Sequence, residues 1–208
     1  MIGTLAEFSA YLADAQAHRA DTIRCELSPA LSGRMNDAAL TEALICGLPM
    51  VQGVQHRILR SRGRGTVLTA KLRWRDGVRM LSGMPLNAEE SAALEMARSI
   101  AADFLPLDEE ARFHRVYDWV CRNVRYVHTA PGQKGYERLV SAVGALLDSQ
   151  ANCQGFADVL YLLCGLCGIA CEYRCGHGER RLHVWNAVRV NGVWREADAS
   201  KGARLPTI

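Results

Sequence analysis

No stretch of this chain approaches the ~18 consecutive apolar residues that read as a membrane span. Its first residues, Met1-Ile2-Gly3-Thr4-Leu5-Ala6-Glu7-Phe8, lack the basic start and apolar centre of a signal peptide. Both absences lead to the expectation of a cytoplasmic protein with no membrane partner. Charge of one sign is also missing: 25 Lys+Arg stand against 22 Asp+Glu, a net charge of +3. The arginines are scattered, so no nucleic-acid partner is expected. The densest basic stretch, Arg57-Ile58-Leu59-Arg60-Ser61-Arg62-Gly63-Arg64, reads as a strand and turn with solvated arginines. No internal repeat and no low-complexity segment breaks the 208 residues.

Cysteine is present in quantity, with eight in all. In a reducing compartment these are free thiols and not a disulfide framework. The question is which of them, if any, carries chemistry.

Residues 1–84 read as a small α+β unit of unknown role, with no clustered chemistry. Leu5, Phe8, Leu12 and Ala15 mark a helix within residues 4–18, and Thr22–Leu27 a strand. A helix over Asp37–Ile45 is capped by Asn36. Two alternating strands follow, Val51–Leu59 and Thr66–Trp74, with Gly63-Arg64-Gly65 between them; Asp76-Gly77 marks another turn before Val78–Leu81. Composition shifts at Gly83-Met84-Pro85, which places a second domain at 85–208. That domain opens with a helix capped by Asn87 and Glu90, then one over about Asp108–Asn123, a short strand at Val124–Val127, and helical material in Tyr136–Leu147.

Cys153 starts the next helix. Phe156, Val159, Leu160, Leu163, Cys164, Leu166 and Cys167 follow it at helical spacing, and Asn152 is a good cap. A thiol at a helix N-terminus meets the positive end of the peptide dipoles and unpaired N–H groups. Both favour the nucleophilic thiolate, and the N–H groups can also stabilise an oxyanion.

A base comes from the segment Leu182–Ser200. Asn191-Gly192 between alternating runs is a strong hairpin signal. With those two residues as the loop, Val190 faces Val193 and Arg189 faces Trp194. One face then holds His183, Trp185, Trp194, Glu196 and Asp198; the other, a core face, holds Val184, Val188, Val190, Val193, Ala197 and Ala199. His183 and Asp198 become diagonal neighbours, so the carboxylate can fix the imidazole tautomer and leave the other nitrogen for Cys153.

Asn152-Cys153-Gln154-Gly155-Phe156-Ala157, Leu166-Cys167-Gly168-Ile169-Ala170, His183-Val184-Trp185-Asn186-Ala187-Val188, Gly192-Val193-Trp194 and Asp198 together resemble the transglutaminase-like core, as do Val116–Val120 and Asn123–Tyr126 upstream. The resemblance covers about residues 90–200. It implies an α+β, papain-like fold in which a helix bearing the cysteine packs on an antiparallel sheet bearing the histidine and aspartate. It also implies Cys153 as nucleophile, His183 as general base and acid, and Asp198 as orienting carboxylate. One departure is Ala151, where the family often has glycine.

Trp185, Tyr126 and Gln154 are candidate substrate-binding residues, and Gln150 or Gln154 a candidate oxyanion donor. His177, in Gly176–Arg181, reads as a loop histidine and a weaker base. Cys164, Cys167, Cys171 and Cys175 have the look of a metal set, but they sit in an apolar helix and the strand after it, so core thiols are the expectation and no metal or cofactor is implied. The expected function is cysteine-dependent acyl transfer on a peptide or protein substrate. Hydrolysis is favoured over amine transfer because no calcium loop is evident. The alternatives are a protein-glutamine transglutaminase and a non-catalytic binding module on the same fold. The sequence does not give the oligomeric state.

Overall fold

The computed structural model describes residues 1–61, 65–177 and 182–202. They form two compact units, the first Met1–Trp74 and the second beginning at Arg75. Among the described residues no helix is long and apolar enough to cross a membrane.

In the first unit Thr4 and Glu7 form a capping box that starts α1 (Leu5–Ala17), with Phe8, Leu12 and Ala15 buried. β1 (Thr22–Leu27) buries every second residue, Ile23, Cys25 and Leu27. A short helix α2 (Pro29–Ser32) and α3 (Asp37–Gly47) follow; the Asn36 side chain accepts the Ala39 N–H, as its residue type predicts. β2 (Val51–Ser61) and β3 (Gly65–Trp74) complete an antiparallel sheet in the order β1-β3-β2. The expected Gly63-Arg64-Gly65 turn falls largely outside the described residues.

In the second unit Asp76-Gly77, which the sequence reads as a turn, instead opens a helix, α4 (Asp76–Leu81). The four residues after that pair, Val78-Arg79-Met80-Leu81, are too few for their period to decide, and burial of Val78 and Met80 decides the outcome. α4 packs on a later helix, α9 (Cys153–Leu166). Gly77 lies so close to Asp158 of that helix that an added Cβ would stand 2.9 Å from its Oδ1.

The capping-box helix α5 (Ala88–Ala102) and α6 (Glu109–Asn123), capped by Asp108, lie where the sequence puts them. β4 (Arg125–Tyr126) pairs in parallel with β5 (Gln150–Ala151), and between them run α7 (Tyr136–Leu139) and α8 (Ala142–Leu147). A three-stranded antiparallel sheet closes the unit: β6 (Ala170–His177), β7 (Leu182–Val190) and β8 (Val193–Ala197), in that order. α9 is the centre of the core, touching α4, α5, α6, α8, β6 and β7, and Val159, Leu160, Leu162 and Leu163 along it are fully buried.

Asp158 is fully buried on α9 and closes a polar knot. It accepts from Gly77 N (3.1 Å), Tyr173 Oη (2.7 Å) and Ala142 N (2.8 Å). The buried Arg75 guanidinium lies over the Tyr173 ring, 5.0 Å from its centroid, and attracts the Asp158 carboxylate. One carboxylate thereby ties α4, α8 and β6 to α9; burial raises its pKa, and Arg75 with the three hydrogen-bond donors opposes that shift.

Candidate active site

Ser149 takes a left-handed backbone (φ 54°), and β5 then runs beside β4, Ala151 O accepting from Val127 N at 2.8 Å. Asn152 N donates to Leu139 O (2.9 Å), while its side chain accepts the Gln154 N–H (2.9 Å) and the Gly155 N–H (3.4 Å). Cys153 is therefore the first residue of α9, half-buried. Two N–H groups offered in the sequence reading as oxyanion donors are thus spent on the cap. Gly155 is required here, since a Cβ would meet Leu139 O at 2.5 Å and the Ala151 Cβ at 2.8 Å. Ala151 itself is fully buried, its methyl occupying the space that Gly155 leaves open.

The hairpin has the register derived from its turn. Asn191 (φ 50°) and Gly192 (φ 80°) both take the positive φ of a type I′ turn. Val190 pairs with Val193, and the ladder continues to Asn186 opposite Ala197. Val193 is 52% exposed and does not join the core face, although its partner Val190 is buried; it lies on β8, the edge strand of the sheet. Beyond Ala197 the strand gives way to a 3-10 turn, Ala199–Lys201, capped by Asp198. Asp198 leaves the ladder but keeps its face.

His183 Nε2 lies 2.7 Å from Asp198 Oδ2, and the imidazole also shares a hydrogen bond with the Cys153 thiol. With Nε2 committed to the carboxylate, Nδ1 is the nitrogen left for sulfur. Asp198 is held in turn by Ser200, whose Oγ donates to Oδ1 at 2.6 Å and whose backbone N–H lies at 3.2 Å, and by Lys201 Nζ, 3.3 Å from Oδ2. Burial pushes the Asp198 carboxyl up, but hydrogen bonds from His183 and Ser200 outweigh it and the net shift is down. The His183 pKa is raised to about 9, chiefly by the Asp198 hydrogen bond, then by the one with Cys153, against a lowering by burial. The imidazolium is the favoured form at neutral pH.

Trp185 stacks on His183 (centroids 5.7 Å apart, planes at 16°) and its indole N–H donates to Glu196. Tyr126 packs on Phe156 and His128, at the start of the connection that leads back to α9. Gln154 follows the cysteine, its Nε2 donating to Tyr136 Oη at 3.0 Å and its Oε1 accepting from Arg75 Nη2 at 3.4 Å. Gln150 lies in β5, opposite Arg125. His177 is the exposed last residue of β6, opposite Leu182, and not a loop residue; Gly178–Arg181 lie outside the described residues.

Cys164 and Cys167 are buried and Cys171 and Cys175 half-buried, and Cys164 shares a hydrogen bond with Cys171. No group of three or more His, Cys, Asp or Glu side chains among the described residues is placed to hold a metal. Sequence reasoning passed over Arg75, Tyr136 and Ser200. Ser200 had a usable signal, a serine two residues after a capping aspartate; Arg75 and Tyr136 reach the site only through tertiary packing.

A cysteine at the head of a buried helix, set against an antiparallel sheet that carries histidine and aspartate, defines a papain-like α+β architecture. Residues 96–199 match the transglutaminase-like superfamily, and the chain belongs to it. The kyphoscoliosis peptidases of Homo sapiens and Mus musculus are each 26% identical to it over 106 residues, 45% of this chain but 16% of theirs. Among solved structures, a TGase is similar at 12% identity and a TM-score of 0.48, covering 86% of this chain and 50% of that one. A candidate cysteine protease from Cytophaga hutchinsonii is similar at 16% identity and a TM-score of 0.42, covering 76% and 63%.

Proposed function

We propose that the second unit catalyses acyl transfer from a peptide or protein amide through a thioester on Cys153. The observation that carries this reading is the His183 ring, hydrogen-bonded to Asp198 on one side and to Cys153 on the other. An imidazolium beside a thiol at a helix N-terminus favours the thiolate–imidazolium pair. The thiolate attacks the amide carbon, forming the C–S bond and moving the carbonyl pair onto oxygen. As the tetrahedral species collapses, the C–N bond breaks and the leaving nitrogen takes the His183 proton. His183, then neutral, removes a proton from the incoming nucleophile that frees the acyl group.

Water is the nucleophile we favour. His183 and Asp198 keep 22% and 15% of their side-chain surface exposed and Cys153 is half-buried, so solvent reaches the thioester. The relatives at 26% identity are named as peptidases, which agrees with hydrolysis.

The test is iodoacetamide alkylation of each cysteine as a function of pH, with and without His183→Ala. Cys153 is expected to react fastest at pH 7, with an apparent pKa that rises in the variant. Equal, slow labelling of every accessible cysteine would sink the enzymatic reading in favour of a binding module. A peptide library with amine donors, followed by mass spectrometry, then separates hydrolysis from amine transfer.

A further inference from the structure

From the hydrogen-bond chain Arg75–Gln154–Tyr136 at the head of α9, we infer that Tyr136 is a catalytic residue whose hydroxyl donates to the oxyanion formed when Cys153 attacks a carbonyl. The inference rests on the acyl-transfer reading above and supplies a side-chain donor where Asn152 already occupies two first-turn N–H groups, those of Gln154 and Gly155.

The direction of the chain is fixed by chemistry. Arginine has donors and no acceptor, so the atom of Gln154 that faces Arg75 Nη2 is the carbonyl Oε1. The amide nitrogen is then turned to Tyr136, and Nε2 donates to the Tyr136 oxygen at 3.0 Å. A hydroxyl oxygen that accepts from Gln154 points its own hydrogen elsewhere. Among the described residues that hydrogen has no acceptor, because the contact with Gln154 is the one hydrogen bond the hydroxyl makes.

Position agrees with this role. Gln154 directly follows Cys153, and Tyr136 is near enough to Cys153 for the two to interact electrostatically. The ring is half-buried at the start of α7, so the hydroxyl can meet a substrate. Burial raises the Tyr136 pKa, which keeps the hydroxyl a donor through the neutral range. Arg75 is itself buried, and a buried cation at the far end polarises each bond of the chain toward the hydroxyl hydrogen. Arg75 and Gln154 are positioning residues in this account, acting through Tyr136.

Tyr136→Phe separates the roles, because alkylation by iodoacetamide forms no oxyanion and acylation by p-nitrophenyl acetate does. In acylation the Cys153 thiolate adds to the ester carbon, and collapse of the oxyanion expels p-nitrophenolate. The expected result is an acylation burst slowed on the order of 10²-fold, the scale of a lost oxyanion donor, with the pH profile of Cys153 alkylation unchanged. Gln154→Met is expected to give a smaller loss of the same kind. Equal burst rates in wild type and Tyr136→Phe would overturn the inference and leave the acyl-transfer reading standing. Equal losses in acylation and alkylation would also overturn it, showing that Tyr136 tunes the thiol and not the oxyanion. A wild-type protein with no burst and no fast-reacting Cys153 would remove both.

Discussion

Cys153 differs from the other cysteines by its neighbours. Burial pushes Cys25 and Cys121 up to about 11 and raises Cys167, and the Cys171 hydrogen bond together with burial holds Cys164 well above the usual range. Those thiols are mostly protonated at neutral pH, whereas Cys153 faces an imidazole. His183 has an ordinary value of 6.5 and a folded value of about 9, so its protonated ring contributes stability that is complete below about pH 6.5 and is lost as pH rises through about 9. Thermal unfolding of the wild type is expected to show Tm falling between pH 6.5 and 9.5, with that slope reduced in Asp198→Asn, which removes the largest cause of the shift. A slope identical in the two proteins would show that His183 is not the group responsible. The Asp198 pairing was legible because an Asn-Gly turn fixes a register and a register fixes faces. Tyr136 was not, since nothing local marks a tyrosine 17 residues before the cysteine as its neighbour.

Elements whose ends carry their own side-chain signals were readable in advance: the Asn87–Glu90 capping box, the Asn152 cap and the 191–192 turn all appear as expected. α4 was not readable, because its helical state depends on docking against Asp158 and not on its own pattern. Caps that organise the site can be tested by their cost. Asn152→Ala leaves two first-turn N–H groups without their acceptor and is expected to destabilise the protein by about 1 kcal/mol, measured by urea unfolding. Gly155→Ala should cost more, roughly 1–3 kcal/mol, since the new methyl meets the rigid Leu139 carbonyl and the Ala151 side chain. If Gly155→Ala proves the milder of the two, the close approach of α9 to β5 is not what holds Cys153 in place.

At the scale of the whole molecule, composition and contacts mark different boundaries. The compositional shift lies at Gly83-Met84-Pro85, but the division of contacts falls at Trp74/Arg75: Gly77 donates to Asp158 of α9, and Arg75 lies near enough to attract that carboxylate. No sequence signal joins an arginine at 75 to an aspartate at 158; only the folded second unit brings them together. Two fragments tell the boundaries apart. One beginning at Arg75 keeps the buried guanidinium and the Gly77 N–H, and is expected to unfold cooperatively and keep a fast-reacting Cys153. One beginning at Pro85 leaves a fully buried carboxylate without its cation and without one of its three hydrogen-bond donors, a loss of the kind that costs roughly 3–5 kcal/mol. It should be unfolded or much less stable by circular dichroism and urea titration, and should regain part of that loss with Asp158→Asn, which removes the unpaired charge. Equal stability of the two fragments would mean that Arg75 and α4 are accessory to the second unit, and that its fold begins where the composition changes.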